Sequence, residues 1–208
     1  AELFDRGMRA AVALRSQGVE PGHRIGLMAR NHVGAVEVMV GASALGVDLV
    51  LVNTGLAGEQ LGLVLAQQEI DLLVHDEEFA AIVDVLVDGP KTLSESAFAA
   101  AVDALPVGTS VDRPEPAGRT IILTSGTTGV PKGAARRTPK GVGALVSMID
   151  RIPLHVGDRI LIAAPIFHTW GYAALQLSFG MSATVILRRR FDPRDVVEVL
   201  EGERVQAM

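Results

Sequence analysis

Short apolar runs along this chain alternate with stretches whose apolar residues recur at helical spacing. Phe4, Met8, Ala11 and Val12 share one helical face, and Gly18 suits the end of that helix. Pro21-Gly22 marks a turn. Ile25 to Ala29 is an apolar run bounded by Arg24 and Arg30, the pattern of a buried strand. Asn31 is suited to cap a helix reaching about Leu45, which Gly46 ends. Val47 to Val52 predicts a second strand, residues 58–68 a helix, and Ile70 to Val74 a third strand. Residues 79–87 read as a helix closed by Gly89-Pro90, and the prolines at 106, 114 and 116 predict a long surface connection. Further strands are predicted at 120–124, 159–164 and 184–187, with helices at 141–152 and 173–181. Asp192-Pro193 reads as a cap followed by proline at the first helical position, opening a helix to about Glu201. Another apolar run starts at Val205.

This alternation predicts an α/β fold, with mostly parallel sheets flanked by helices. Composition narrows the classes. Of 208 residues, 49% are hydrophobic and 21% charged, so the chain buries enough surface to outweigh its ordering entropy, which excludes disorder. The absence of cysteine excludes a disulfide-stapled scaffold. A net charge of −5 argues against a nucleic-acid partner. Glu2, Asp5, Arg6, Arg9 and Arg15 make the first segment unlike a signal peptide. The most membrane-like stretch, 33–52, is interrupted by Glu37, Asp48 and four glycines or serines, and reads as a buried helix followed by a buried strand. A soluble, cytoplasmic protein is expected. Both ends read as cuts within a longer protein.

The sharpest feature is Thr124-Ser-Gly-Thr-Thr-Gly-Val-Pro-Lys-Gly133, which follows a strand and leads towards a helix. Ligands of open α/β sheets bind at the carboxyl ends of strands, where such a loop sits. Gly126, Gly129 and Gly133 let the backbone turn tightly and aim its N–H groups at an anion. Thr124, Ser125, Thr127 and Thr128 add hydroxyl donors, and Lys132 adds a positive charge. Together they suit a polyphosphate. The loop is not a Walker A sequence, because Pro131 precedes Lys132 and Gly133 follows it. A flexible polar loop is the plainer alternative.

On these residues the chain resembles the adenylate-forming superfamily of acyl-CoA synthetases, luciferases and peptide-synthetase adenylation domains. The loop matches the superfamily's signature throughout. Ala164-Pro-Ile-Phe-His168 is similar to its Pro-x-Phe-His segment, and the stretches RSQGVEPGHRIGLMARNH and GVDLVLVNTGLAGEQL are similar to its opening elements. His23 stands where the family usually has Asp. Phe167-His-Thr-Trp-Gly171 and Phe191-Asp-Pro193 look most like fatty acyl-CoA synthetases. The resemblance implies a truncated acid–thiol ligase of the AMP-forming kind. ATP activates a carboxylic acid, a fatty acid on these motifs, to an acyl adenylate. Coenzyme A then displaces AMP. Ser125, Gly126, Thr127, Thr128, Gly129 and Lys132 would cradle the pyrophosphate portion, with a solvated side chain as the alternative for Lys132, and Thr124 would also help hold Mg²⁺. His168 would place the acid at the acyl pocket, although a lone histidine beside apolar residues also serves structural roles.

The resemblance further implies an incomplete N-terminal domain. Residues 25–150 would form a first αβ lobe carrying the loop at 124–133, with 1–24 and 152–208 belonging to a second. A glutamate and an aspartate of the ATP site and a C-terminal domain with its catalytic lysine would lie beyond Met208, so the fragment alone is expected to be inactive. Its incomplete lobe invites homodimerisation, and peripheral membrane contact is left open. Trp170 would line or gate the acyl channel, or pack in the core. Arg188-Arg189-Arg190 reads as a solvated cluster, with a phosphate of coenzyme A as the alternative, and Arg136 and Arg137 follow the loop. His32 and His75 lack ligand-type neighbours in sequence, so no zinc site is expected. Another adenylate-forming activity, such as aryl-CoA ligase or peptide-synthetase adenylation, and a non-catalytic nucleotide-binding relative are the alternatives.

Overall fold

The computed structural model describes residues 2–86, 88–112, 118–124, 132–135 and 152–208. The chain divides into two compact units, Ala1–Ala29 with Val33–Arg136 and Arg30–His32 with Arg137–Met208. The first unit runs α1 (Glu2–Ser16), β1 (Arg24–Met28), α2 (Val33–Leu45), β2 (Asp48–Leu51), α3 (Gly58–Gln67) and β3 (Leu72–His75). A 3₁₀ turn (Glu77–Phe79), α4 (Ala80–Val83), β4 (Lys91–Ser94), α5 (Glu95–Asp103), β5 (Thr120–Thr124) and β6 (Lys132–Ala135) follow. Its sheet has the order β4-β3-β1-β2-β5-β6. The first five strands are parallel, and β6 runs antiparallel to β5. The second unit holds β7 (Arg159–Ile162), α6 (Thr169–Gly180), β8 (Thr184–Leu187) and α7 (Pro193–Gly202), with β7 and β8 parallel. The α/β class with parallel strands is therefore what the structure shows.

The inner strands are buried almost throughout, as expected where helices cover both faces of a parallel sheet. Helix α2 buries Ala35, Val36, Val38, Met39, Ala42 and Leu45, which explains the apolar stretch at 33–52. Among the described residues no helix is long and apolar enough to cross a membrane. α1 lies close against α2 through small residues. A Cβ added to Gly7 would meet Val40 Cγ1 at 2.3 Å, and one added to Gly41 would meet the Ala11 nitrogen at 2.9 Å.

Arg6 of α1 fastens this contact. Its Nε donates to Glu37 Oε1, its Nη2 donates to Glu37 Oε2 at 3.3 Å, and its Nη1 donates to Asp103 Oδ1 of α5 at 2.9 Å. The bonds from Glu37, and then from Asp103, raise the Arg6 guanidinium above its ordinary value. The sequence reading assigned residues 1–24 to the second lobe. The structure places α1 in the first unit instead, because its small-residue face and Arg6 are both committed to α2 and α5.

Other differences have local causes. Residues 91–103, which carry no clear element signal in the sequence, form β4 and α5. β4 is a short edge strand with two exposed residues, so it lacks an apolar run. α5 starts at a Ser94 cap whose hydroxyl accepts from the Ala97 amide. The helix read at 79–87 is shorter, a 3₁₀ turn followed by α4. The helix expected at 141–152 falls almost wholly outside the described residues. In the second unit, the Asp192 carboxylate does cap α7, accepting from the Arg194 and Asp195 amides. The final segment pairs with β7, where Leu161 N–H donates to Ala207 O at 2.9 Å.

Ion pairs hold the amino ends of the central strands. Asp48 at the start of β2 accepts from the Arg119 amide at 2.9 Å and its Nη2 at 2.5 Å, with Arg24 Nε at 3.9 Å. Burial alone would raise the Asp48 carboxyl. Bonds from the Arg119 side chain and amide, with the Arg119 and Arg24 charges, outweigh it and hold the group below the usual carboxylate range.

Two outcomes are expected. Arg6→Ala leaves Glu37, only 3% exposed, without its partner and costs about 3–5 kcal/mol in urea unfolding. A loss under 1 kcal/mol would show that the pair does not fasten α1. A carboxyl depressed in the folded state contributes stability above its unfolded value of about 3.9 and loses it as pH falls through the folded value. Asp48→Asn is therefore expected to flatten the fall in stability below about pH 4, and an acid limb as steep as wild type would contradict this.

Candidate functional site

β5 is set in place by β2. Leu49 pairs with Thr120, Val50 with Ile121 and Leu51 with Ile122, and the Leu49 amide donates to Arg119 O at 2.8 Å. Just before β5 the backbone passes so close to Val47 that a Cβ on Gly118 would lie 2.0 Å from the Val47 carbonyl oxygen. Because β5 is parallel to its neighbour, Thr124 stands at the carboxyl end of the sheet. The chain then returns as β6, with Lys132 directly opposite Thr124, Gly133 opposite Leu123 and Ala134 opposite Ile122. The structure thus brings Thr124 and Lys132 together across one hairpin. Ser125, Gly126, Thr127, Thr128 and Gly129 lie outside the described residues. The end of the expected loop, Lys132-Gly133, forms the start of β6, and the helix it was expected to lead towards lies outside the described residues. Lys132-Gly-Ala-Ala135 gave no strand signal, because a short edge strand of small residues lacks β-branched or aromatic side chains.

His168 belongs to the second unit. It immediately precedes α6, is exposed, and lies with its ring centroid 4.5 Å from that of Phe167, tilted by 47°. Its amide donates to Pro165 O at 3.0 Å and its carbonyl accepts from the Tyr172 amide at 2.9 Å. The backbone is therefore fixed while the imidazole faces solvent, which suits a ligand-facing group better than a core histidine. Trp170 is 64% exposed, so it does not pack in the core. By contrast His75 is buried, with Nδ1 3.0 Å from the Asp76 carbonyl oxygen.

Asn31 departs from the sequence reading. Its side chain turns to the β7–α6 connection instead of serving as the expected helix cap. Nδ2 donates to Ile162 O at 3.1 Å and to Ala164 O at 2.9 Å, and Oδ1 accepts from the Ile166 amide at 2.9 Å. In the same unit a cleft of about 210 Å³ is lined by Arg30, Asn31, Pro165, Phe167 and the run 188–191. Arg188 is engaged by Asp195 at 3.0 Å and by the Leu187 carbonyl. The arginine run therefore borders a cleft and is partly paired, and is not simply a solvated cluster.

Comparisons with known proteins place this geometry. The whole chain, residues 1–208, matches the family described as AMP-binding enzyme. It is 32% identical over 206 residues to a feruloyl-CoA synthase of Amycolatopsis sp, covering 99% of this chain and 42% of that protein. It is 30% identical over 213 residues to a 2-succinylbenzoate–CoA ligase of Bacillus licheniformis, covering 98% and 42%. A long-chain-fatty-acid–CoA ligase, FadD13 of Mycobacterium tuberculosis, is 28% identical over 213 residues, covering 99% and 42%. The chain spans less than half the length of these relatives. The N-terminal domain of FACL13 from Mycobacterium tuberculosis shares the fold, with a TM-score of 0.89 at 24% identity over 98% of this chain and 53% of that one. The o-succinylbenzoate coenzyme A synthetase of Bacillus subtilis, solved in complex with ATP and magnesium ion, has a TM-score of 0.82 at 25% identity over 99% and 55%.

The close approach before β5 generates a test. Gly118→Ala forces the strand that ends at Thr124 away from β2, and is expected to cost about 1–3 kcal/mol in urea unfolding. Weakened hydrogen-exchange protection of the β5 amides should accompany the loss. Wild-type protection in β5 would show that the contact does not set the strand.

Proposed function

The chain belongs to the AMP-binding enzyme family, and on that premise we propose that it forms the ATP-gripping part of an acid–CoA ligase. The observation that carries this reading is the hairpin setting Thr124 opposite Lys132 at the carboxyl end of a parallel sheet. The intervening residues supply the donors a polyphosphate needs: the hydroxyls of Ser125, Thr127 and Thr128, and backbone N–H groups freed by Gly126 and Gly129. In this reading Ser125 to Gly129 and Lys132 hold the β- and γ-phosphates. The Thr124 hydroxyl is a hard oxygen donor of the kind Mg²⁺ accepts, so this residue would help hold the ion. Bound Mg²⁺ would neutralise phosphate charge.

The chemistry follows from charge. A carboxylate is a poor acyl donor until it gains a good leaving group. One carboxylate oxygen attacks the α-phosphorus of ATP, and the bond from that phosphorus to the β-phosphate oxygen breaks, releasing pyrophosphate. The thiol sulfur of coenzyme A then attacks the acyl carbon, loses its proton and expels AMP. Two anions meet in the first step, so the loop's donors matter most there. The acid is already ionised at neutral pH, so His168 acts by placing it and not as a base.

The relatives are named for feruloyl, succinylbenzoyl and long-chain fatty acids, and all match the same stretch at similar identity. Similar identity to all three supports what their names share, the joining of an acid to coenzyme A. For this chain we propose an acid with a large apolar body, fatty or aromatic, because Phe167 and exposed Trp170 flank His168.

Acid-dependent ATP–pyrophosphate exchange by the intact ligase carrying this chain tests the reading, with fatty acids of increasing length, ferulate and o-succinylbenzoate as substrates. Exchange with at least one acid is expected. Thr128→Ala is expected to lower it about a hundredfold, the cost of removing one preorganised donor. The isolated chain is expected to form no acyl-CoA. Absence of exchange with every acid, alongside normal folding, would favour a non-catalytic nucleotide binder.

A further inference from the structure

From the contacts of Asn31 we infer that this residue positions His168 for the acid substrate, acting through the β7–α6 turn. The inference rests on the proposed acid-activating reaction. It assigns a role to a side chain far from the phosphate loop in sequence and outside its donor set.

Asn31 is 4% exposed, and its amide is fully used. Both Nδ2 hydrogens go to carbonyl oxygens of the turn, at Ile162 and Ala164, and Oδ1 takes the Ile166 N–H. An asparagine offers two donors and one carbonyl oxygen, and the turn presents their complements. At this depth water does not easily replace a lost partner, so removing the amide leaves buried backbone groups unsatisfied.

The same turn is held from its other side. A Cβ on Gly171 would lie 2.2 Å from Pro165 O and 2.7 Å from Ala164 O, so α6 abuts the turn where only glycine fits. Between these two constraints the turn has one place to sit. Phe167 is 8% exposed and His168 contacts its ring, so the position of the turn sets that of the imidazole. Aspartate in place of Asn31 would keep the acceptor for Ile166. It would lose both donors and set carboxylate oxygens against two carbonyls.

The experiment uses the intact ligase, with the one tryptophan of this chain, Trp170, two residues beyond His168, as the probe and a Trp170→Phe variant to isolate its signal. Asn31→Ala and Asn31→Asp are each expected to raise the KM for the acid about tenfold while the KM for ATP stays within twofold, the effect of misplacing a positioning group. In a His168→Ala background the same substitutions are expected to raise the acid KM less than twofold, because the two residues act in series. Acrylamide quenching of Trp170 should increase in both variants. Gly171→Ala, which displaces the turn from the α6 side, serves if the Asn31 variants do not fold, and is expected to show the same KM split.

A merely structural Asn31 would lower the melting temperature and move both KM values together, or neither. Additivity with His168→Ala would also overturn the inference. Should wild-type protein show no acid-dependent exchange, the ligase reading fails, and Trp170 quenching then decides the clamp alone. Quenching unchanged in Asn31→Ala would sink it.

Discussion

A parallel sheet covered on both faces leaves its polar groups two places to go, and both are strand ends. This constraint organises the first unit. Ile25 to Met28, Leu49 to Leu51 and Leu72 to His75 are buried along their length, so no charged side chain fits between those ends without a partner. At the amino ends, Arg24, Asp48 and Arg119 neutralise one another, and the Arg24 amide donates to Asp71. At the carboxyl end, β5 runs out into the glycine- and threonine-rich loop. Stability and the proposed chemistry are thereby kept at opposite edges of one sheet. The residues proposed to bind phosphate need not satisfy the core, and the ion pairs that fix strand register need not tolerate a substrate.

How much of this was legible follows from where each signal is stored. Strands β1, β2, β3, β5, β7 and β8 announce themselves as apolar runs because their burial is local to each run. The Asp192-Pro193 cap is equally local, and the structure bears it out. β4 escaped because Lys91 and Thr92 are exposed, leaving one buried side chain in the strand. β6 escaped because glycine and alanine carry no strand preference, and its pairing comes from the hairpin it closes. The placement of α1 was missed for a different reason. Its apolar face is visible in sequence, but the partner of that face is chosen by Gly7 fitting Val40 and by Arg6 reaching Glu37 and Asp103.

Helix α2 shows how one sequence feature can carry two meanings. Its residues are apolar all round, which in isolation resembles a membrane segment. The structure gives the other cause, a helix covered on nearly every side. Glu37 is the informative exception. A carboxylate 3% exposed within such a helix demands a cation, and Arg6 supplies it in a two-pronged geometry. The charge therefore argues for burial against a specific neighbour, where a reading by hydropathy alone sees only an interruption.

The two parts of the candidate site differ in the same way. The loop proposed to bind phosphate is contiguous, so its candidate donors and charge can be read from ten neighbouring residues. The turn before His168 is held by Asn31, whose partners lie 131, 133 and 135 positions further along the chain. No local pattern reports such a pairing, and the local pattern present at Asn31 suggested a helix cap. Asparagine serves either role because its amide complements any exposed backbone N–H or carbonyl. The choice between them is made by which backbone groups are left over, and in the second unit those groups belong to a turn that α6 presses from the other side. A residue whose function is to satisfy a turn is thus silent in sequence, while the histidine that the turn carries is not.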